Sequence, residues 1–193
     1  IPVLVVMERP GWEMVLRGLG YDVTIGYLPY GDYDKQVDPF DLKIQDLYTR
    51  HYLNKLLPYV KNVPFLDIKL VSTLPPPLYR AVENITILDT QYTLQREDIS
   101  SAEPIYRLRA ERNASAAGKA MSYFLKERPD VVVIPNGMIQ EYAAVYETAR
   151  SMGINAVTYE FGEHNHRVWL GKNRLVIHHI IDELWESRRK IPL

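Results

Sequence analysis

The run Glu160-Phe-Gly-Glu-His-Asn-His-Arg167 puts two carboxylates, two imidazoles, an amide and a guanidinium within eight positions. An imidazole titrates near neutrality, and a positioned carboxylate or imidazole can take a proton from a hydroxyl. Glu160 and His164 are therefore the candidate general bases. His166 and Arg167 are candidate contacts to an acceptor molecule. A solvated loop would carry the same residue types. His164-x-His166 beside glutamate resembles part of a metal set, but no third ligand is indicated by spacing, so no metal is expected.

A second group lies upstream. Asn136-Gly137 follows the apolar run Val131–Pro135 directly. Glycine permits a sharp bend or a close backbone approach. Glu141 falls in the first turn of the helix expected next, where a carboxylate complements the helix dipole. Asn136, Gly137 and Glu141 are read as acceptor-binding residues; turn chemistry and dipole complementation are the structural alternatives. The free N–H groups of that helix are expected to face the same crevice and to favour an anion or a hydroxyl-rich ligand.

These groups need strands and helices to hold them. The runs at 1–7, 21–29, 63–71, 131–135 and 156–159 are apolar and rich in branched residues, as strands covered on both faces are. Helical spacing appears over 12–20, closed by Gly20, and from Pro39 to Val60, with Asp38 as a cap and Pro39 at the first helical position. It recurs over 103–128, 138–152 and 173–190. In the 103–128 helix, Ala110, Ala114, Ala117, Met121, Phe124 and Leu125 form the apolar stripe. Arg107, Arg112, Lys119 and Lys126 form the opposite face, read as solvated or, less simply, as a contact to anionic lipid or a phosphorylated acceptor. His178 and His179 sit on the 173–190 stripe and read as structural.

The prolines at 75–77 read as a breaker, and Asn84–Leu88 as a short strand. Asn84-Ile-Thr86 and Asn113-Ala-Ser115 match the glycosylation acceptor pattern by chance. Strands alternating with helices predict an α/β fold: a Rossmann-like three-layer sandwich with a mainly parallel sheet. Ligands of such sheets sit beyond the carboxyl ends of the strands, where both polar groups fall.

The 193 residues suit one Rossmann-like domain spanning 1–193, with 173–193 as an amphipathic helix and the start of a linker. With 23 basic and 24 acidic residues there is no field to hold nucleic acid. The absence of cysteine excludes disulfides and thiolate chemistry and suits a reducing compartment. No run is long enough to span a membrane, and a cytoplasmic location, with peripheral membrane contact, is expected. No dinucleotide fingerprint, Walker motif or nucleophile elbow is present.

The stretch Arg128–Gly162, read as Pro-Asp, apolar run, Asn-Gly, helix, Gly-Ile, strand, Glu-x-Gly, resembles the N-terminal domain of GT-B glycosyltransferases of bacterial capsule and surface polysaccharide biosynthesis. Tyr106–Leu125 and Gly18–Ile25 are similar to neighbouring parts of that domain; residues 30–100 are not matched. The resemblance implies a transferase whose N-terminal domain holds a saccharide or lipid-linked acceptor. A C-terminal domain, absent from this chain, would hold the nucleotide sugar as co-substrate. No cofactor is then expected on this domain. A flavodoxin-like small-molecule binding module without catalysis, and half of a sugar-nucleotide epimerase, are the alternative readings.

Overall fold

The computed structural model describes residues 2–7, 12–27, 39–65, 68–71, 73–162, 168–176 and 189. Six strands form one sheet: β1 (Pro2–Met7), β2 (Asp22–Tyr27), β3 (Lys61–Pro64), β4 (Val131–Pro135), β5 (Asn155–Phe161) and β6 (Val168–Lys172). The helices are α1 (Trp12–Gly18), α2 (Pro39–Leu56), α3 (Pro76–Leu94), α4 (Pro104–Glu127) and α5 (Gln140–Ser151). The strand order is β3-β2-β1-β4-β5-β6. The first five strands are parallel and β6 runs antiparallel to β5. The expected α/β, Rossmann-like, mainly parallel sheet is the observed one.

The near-continuous apolarity of β1 and β4 has a direct cause. Leu4, Val6, Val132 and Ile134 point to one face, where they meet Ala120 and Phe124 of α4 and Val145 and Ala149 of α5. Val3, Val5 and Val133 point to the other, with Val23 and Ile25 of β2, Leu53 of α2 and Val60. A strand buried on both faces has no place for alternation.

One side of the sandwich carries an extra layer. α3 packs on α4 and α5 through Leu78 and Val82 against Ala116, Ala117 and Ala144. α4 is therefore sandwiched between the sheet and α3, which explains its run of buried small residues. Its buried stripe runs through Asn113, Ala116, Ala117, Ala120 and Phe124, shifted from the expected one, and Leu125 is exposed.

Three expectations need correction. The prolines at 75–77 begin a helix rather than break one: Pro75 is the N-cap of α3 and proline follows at its first positions, where a missing N–H costs nothing. Asn84–Leu88 lies inside that helix, its branched residues held by packing on α4 and α5. The third strand ends at Pro64 rather than running to 71. Phe65 then turns fully inward, where its ring edge lies 2.7 Å from the place a Cβ on Gly26 would take. β6 was not foreseen. The 173–190 helix falls largely outside the described residues.

Candidate functional site

The strand order reverses between β1 and β4: the chain steps outward through β2 and β3 on one side, then through β5 and β6 on the other. A crevice opens at the carboxyl ends of strands at such a reversal. Asn136 and Gly137 leave β4 there.

The turn is tightly specified. Asn136 takes φ 52° and Gly137 φ 80°, both left-handed. The Asn136 N–H donates to the Tyr159 carbonyl at 2.7 Å, which ties the turn to β5. The Gly137 N–H donates to the Pro135 carbonyl. A Cβ at Gly137 would lie 2.5 Å from Thr158 Cγ2, so the close approach as well as the dihedral requires glycine. Asn136 tolerates its left-handed conformation through its short polar side chain. Its Oδ1 accepts the Met138 N–H at 3.0 Å, closing an Asx turn.

The other end of the same amide reaches across to β5. Asn136 Nδ2 donates to Glu160 Oε2 at 2.6 Å. Glu160 lies near the carboxyl end of β5, two positions beyond Thr158 and on the same face. It is exposed. The structure thus brings Asn136, Gly137 and Glu160 together at one sheet edge, with a carboxylate oriented by an amide and still open to solvent. His164, His166 and Arg167 lie outside the described residues. Among the described residues, no three His, Cys, Asp or Glu side chains are placed to hold a metal ion.

Glu141 is elsewhere. It is buried, 2% exposed, and pairs with Arg112 of α4 inside the helical layers. Arg112, expected on a solvated face, has a side chain only 8% exposed, because α5 and α3 both cover α4. Asn113 is fully buried, so the glycosylation pattern there is accidental.

The α5 N-terminus is not an open anion site either. Asp89 of α3, which sequence reasoning did not single out, accepts the Gln140 N–H at its Oδ1 (2.9 Å) and the Asn113 amide at its Oδ2 (3.2 Å). A carboxylate of the protein already occupies the position that the helix dipole favours for an anion. Burial pushes the Asp89 carboxyl above its usual value, against the lowering effects of the Gln140 and Asn113 hydrogen bonds and of Arg109. The helical spacing of Leu78, Val82, Ile85 and Asp89 was the signal that could have found it.

No family model matches the chain, and no curated protein matches it. Among solved structures, a CDPS (cyclodipeptide synthase) from Fluoribacter dumoffii superposes with a TM-score of 0.50 at 11% identity, covering 88% of this chain and 89% of that one. The two proteins share a fold. This corrects the glycosyltransferase resemblance and with it the capsule and polysaccharide assignment: the fold found is that of a CDPS. The Pro-Asp, apolar run, Asn-Gly pattern is what a parallel strand produces when it leads through a left-handed turn into a helix, whatever the protein does.

Proposed function

We propose that this chain is a small-molecule binding domain whose ligand presents a hydroxyl to Glu160 at the carboxyl edge of the sheet. The observation that supports it is the 2.6 Å Asn136–Glu160 hydrogen bond between the carboxyl ends of β4 and β5, beside the reversal at β1 and β4. Asn136 is held by its own backbone, by the Met138 N–H and by Tyr159, so it fixes the carboxylate in place before any ligand arrives. An ionised carboxylate offers only acceptors, roughly four lone-pair sites. The amide fills one, and the rest suit the hydroxyls of a saccharide or similar polyol.

A scaffold reading would leave Glu160 as a surface cap on the turn. Its exposure leaves the remaining lone pairs within reach of a ligand, which the binding reading requires. The shared fold with a CDPS adds no activity to this, since one fold hosts many functions. A cytoplasmic location is part of the same proposal, and the lack of cysteine is compatible with it. Among the described residues no helix is long and apolar enough to cross a membrane.

Amide-resolved NMR titration with oligosaccharides and, separately, with nucleotides tests the reading. Oligosaccharides should shift the Asn136, Gly137 and Glu160 amides together. Shifts confined to another part of the chain, or none with any polyol, would contradict it.

A further inference from the structure

Asp89 lies on a different helix from the candidate site, yet a chain of contacts joins the two. Between the end of β4 and the first turn of α5 the backbone is left-handed at Asn136 (φ 52°), Gly137 (φ 80°) and Gln140 (φ 52°). Asparagine and glycine tolerate that conformation by themselves. Gln140 has neither advantage, and Ile139 before it gives α5 no side-chain cap. The segment is held at its two ends instead. At one end Asn136 bonds Tyr159 and Glu160. At the other the Gln140 N–H donates to Asp89 Oδ1 at 2.9 Å.

The group that makes this second hold is itself fixed. Asp89 is 5% exposed. Asn113 Nδ2 donates to its Oδ2 at 3.2 Å and to Thr86 Oγ1 at 3.3 Å, so α3 and α4 together aim the carboxylate at α5. Burial raises the Asp89 carboxyl above its usual value, against the Gln140 and Asn113 hydrogen bonds and the Arg109 guanidinium, and Glu141 adds to the rise. Glu141 is paired with Arg112. On the open side Arg96 and Glu97 line a groove with Asp89, Met138 and Ile139, by which a proton reaches the carboxylate. The ionised form therefore costs stability. A neutral side chain would still accept the Gln140 N–H. What the charge adds is the strength of that one hydrogen bond.

We propose that Asp89 is a positioning residue of the strand-end site: its carboxylate clamps Gln140 and thereby holds the Asn136–Gly137 turn, and with it Glu160, in the geometry that meets a ligand. The proposal rests on the binding reading of Glu160, but the clamp is measurable without a ligand. On protonation the carboxyl accepts more weakly from Gln140. Its new O–H turns to the buried Asn113 Oδ1, which lacks a partner among the described residues, once that amide turns over. The left-handed Gln140 then relaxes, and the turn with it.

NMR of the ligand-free chain across pH tests the clamp. The Asp89 carboxyl carbon, the Gln140 amide and the Asn136 side-chain amide should pass through one shared transition. Glu160→Gln should retain it, and Asp89→Asn should abolish it. At neutral pH Asp89→Asn should melt higher than the parent yet bind oligosaccharide more weakly, by up to about tenfold, as when a charge-assisted hydrogen bond becomes a neutral one. A merely structural residue would not lose affinity while gaining stability. Glu97→Gln, at an exposed position in the same groove, should leave the transition and the affinity unchanged. An Asn136 amide that does not follow the Asp89 carboxyl, or full affinity in Asp89→Asn, would overturn the proposal. The transition in the parent decides it if Asp89→Asn fails to fold. A shared transition without oligosaccharide binding would overturn the Glu160 reading and leave the clamp in place.

Discussion

Glu141 and Glu160 carry the same group and flank the same strand-to-helix unit, yet the structure treats them in opposite ways. Glu141 is buried against an arginine between two helices. Glu160 is exposed and held by one amide at a strand end. The first has surrendered its contact with water for a buried ion pair. The second keeps its solvation and lends its remaining lone pairs to whatever enters. A carboxylate's chemistry in this domain is therefore decided by which layer covers it, and not by its distance in sequence from a turn.

The sharpest way to break that contrast is to delete each carboxylate in turn. Glu141→Ala removes the carboxylate paired with the buried Arg112, and should cost about 3–5 kcal/mol in urea unfolding. Glu160→Ala should leave the unfolding midpoint unmoved, as substitutions at exposed positions without buried partners do. Equal losses in the two variants would remove the distinction.

Gly137→Val comes next. It forces a branched side chain into a left-handed turn and against Thr158, and should cost about 1–3 kcal/mol. Gly137→Ala should shift stability in the same direction by less. Full stability in the valine variant would show that the turn is not as tightly built as described.

Asp89 sharpens the comparison from a third side. Its carboxyl is raised above the ordinary value of 3.8, chiefly by burial. It thus holds its proton more readily when folded than when unfolded. Its contribution is fully present below pH 3.8 and is lost as pH rises through the raised folded value. Asp89→Asn mimics the protonated form. The buried Asn113 Oδ1, which lacks a hydrogen-bond partner among the described residues, can accept from the new amide once the Asn113 amide turns over. Thermal melts across pH should find the variant ahead of the parent at neutral pH, with the gap closing toward acid. A gap that widens toward acid would reverse the sign of this account.

The parts legible in the sequence were those where one physical cause acts alone. Apolar runs buried on both faces marked β1 and β4, and Asn136-Gly137 marked the turn because only residues tolerant of a left-handed backbone fit there. Asn136, Gly137 and Glu160 could be placed at one edge because parallel strands end on the same side. What was hidden depended on a second layer. α3 read as breaker and strand because its prolines and branched residues are weak helix signals, overridden here by packing on α4 and α5. Arg112 read as solvated because nothing in its own helix announces that two others will cover it. Asp89 was missed for the same reason: its partners, Gln140 and Asn113, come from different helices.

The smallest structural change carries the most direct test. Glu160→Gln keeps the shape and removes the charge. Melting temperature and oligosaccharide affinity should be measured on the same preparation of variant and parent. The account predicts an unchanged melting temperature with affinity reduced about tenfold or more, since charge-assisted hydrogen bonds from ligand hydroxyls are lost. A fall in melting temperature with affinity retained would make Glu160 a cap on the turn and remove the binding site from the strand ends.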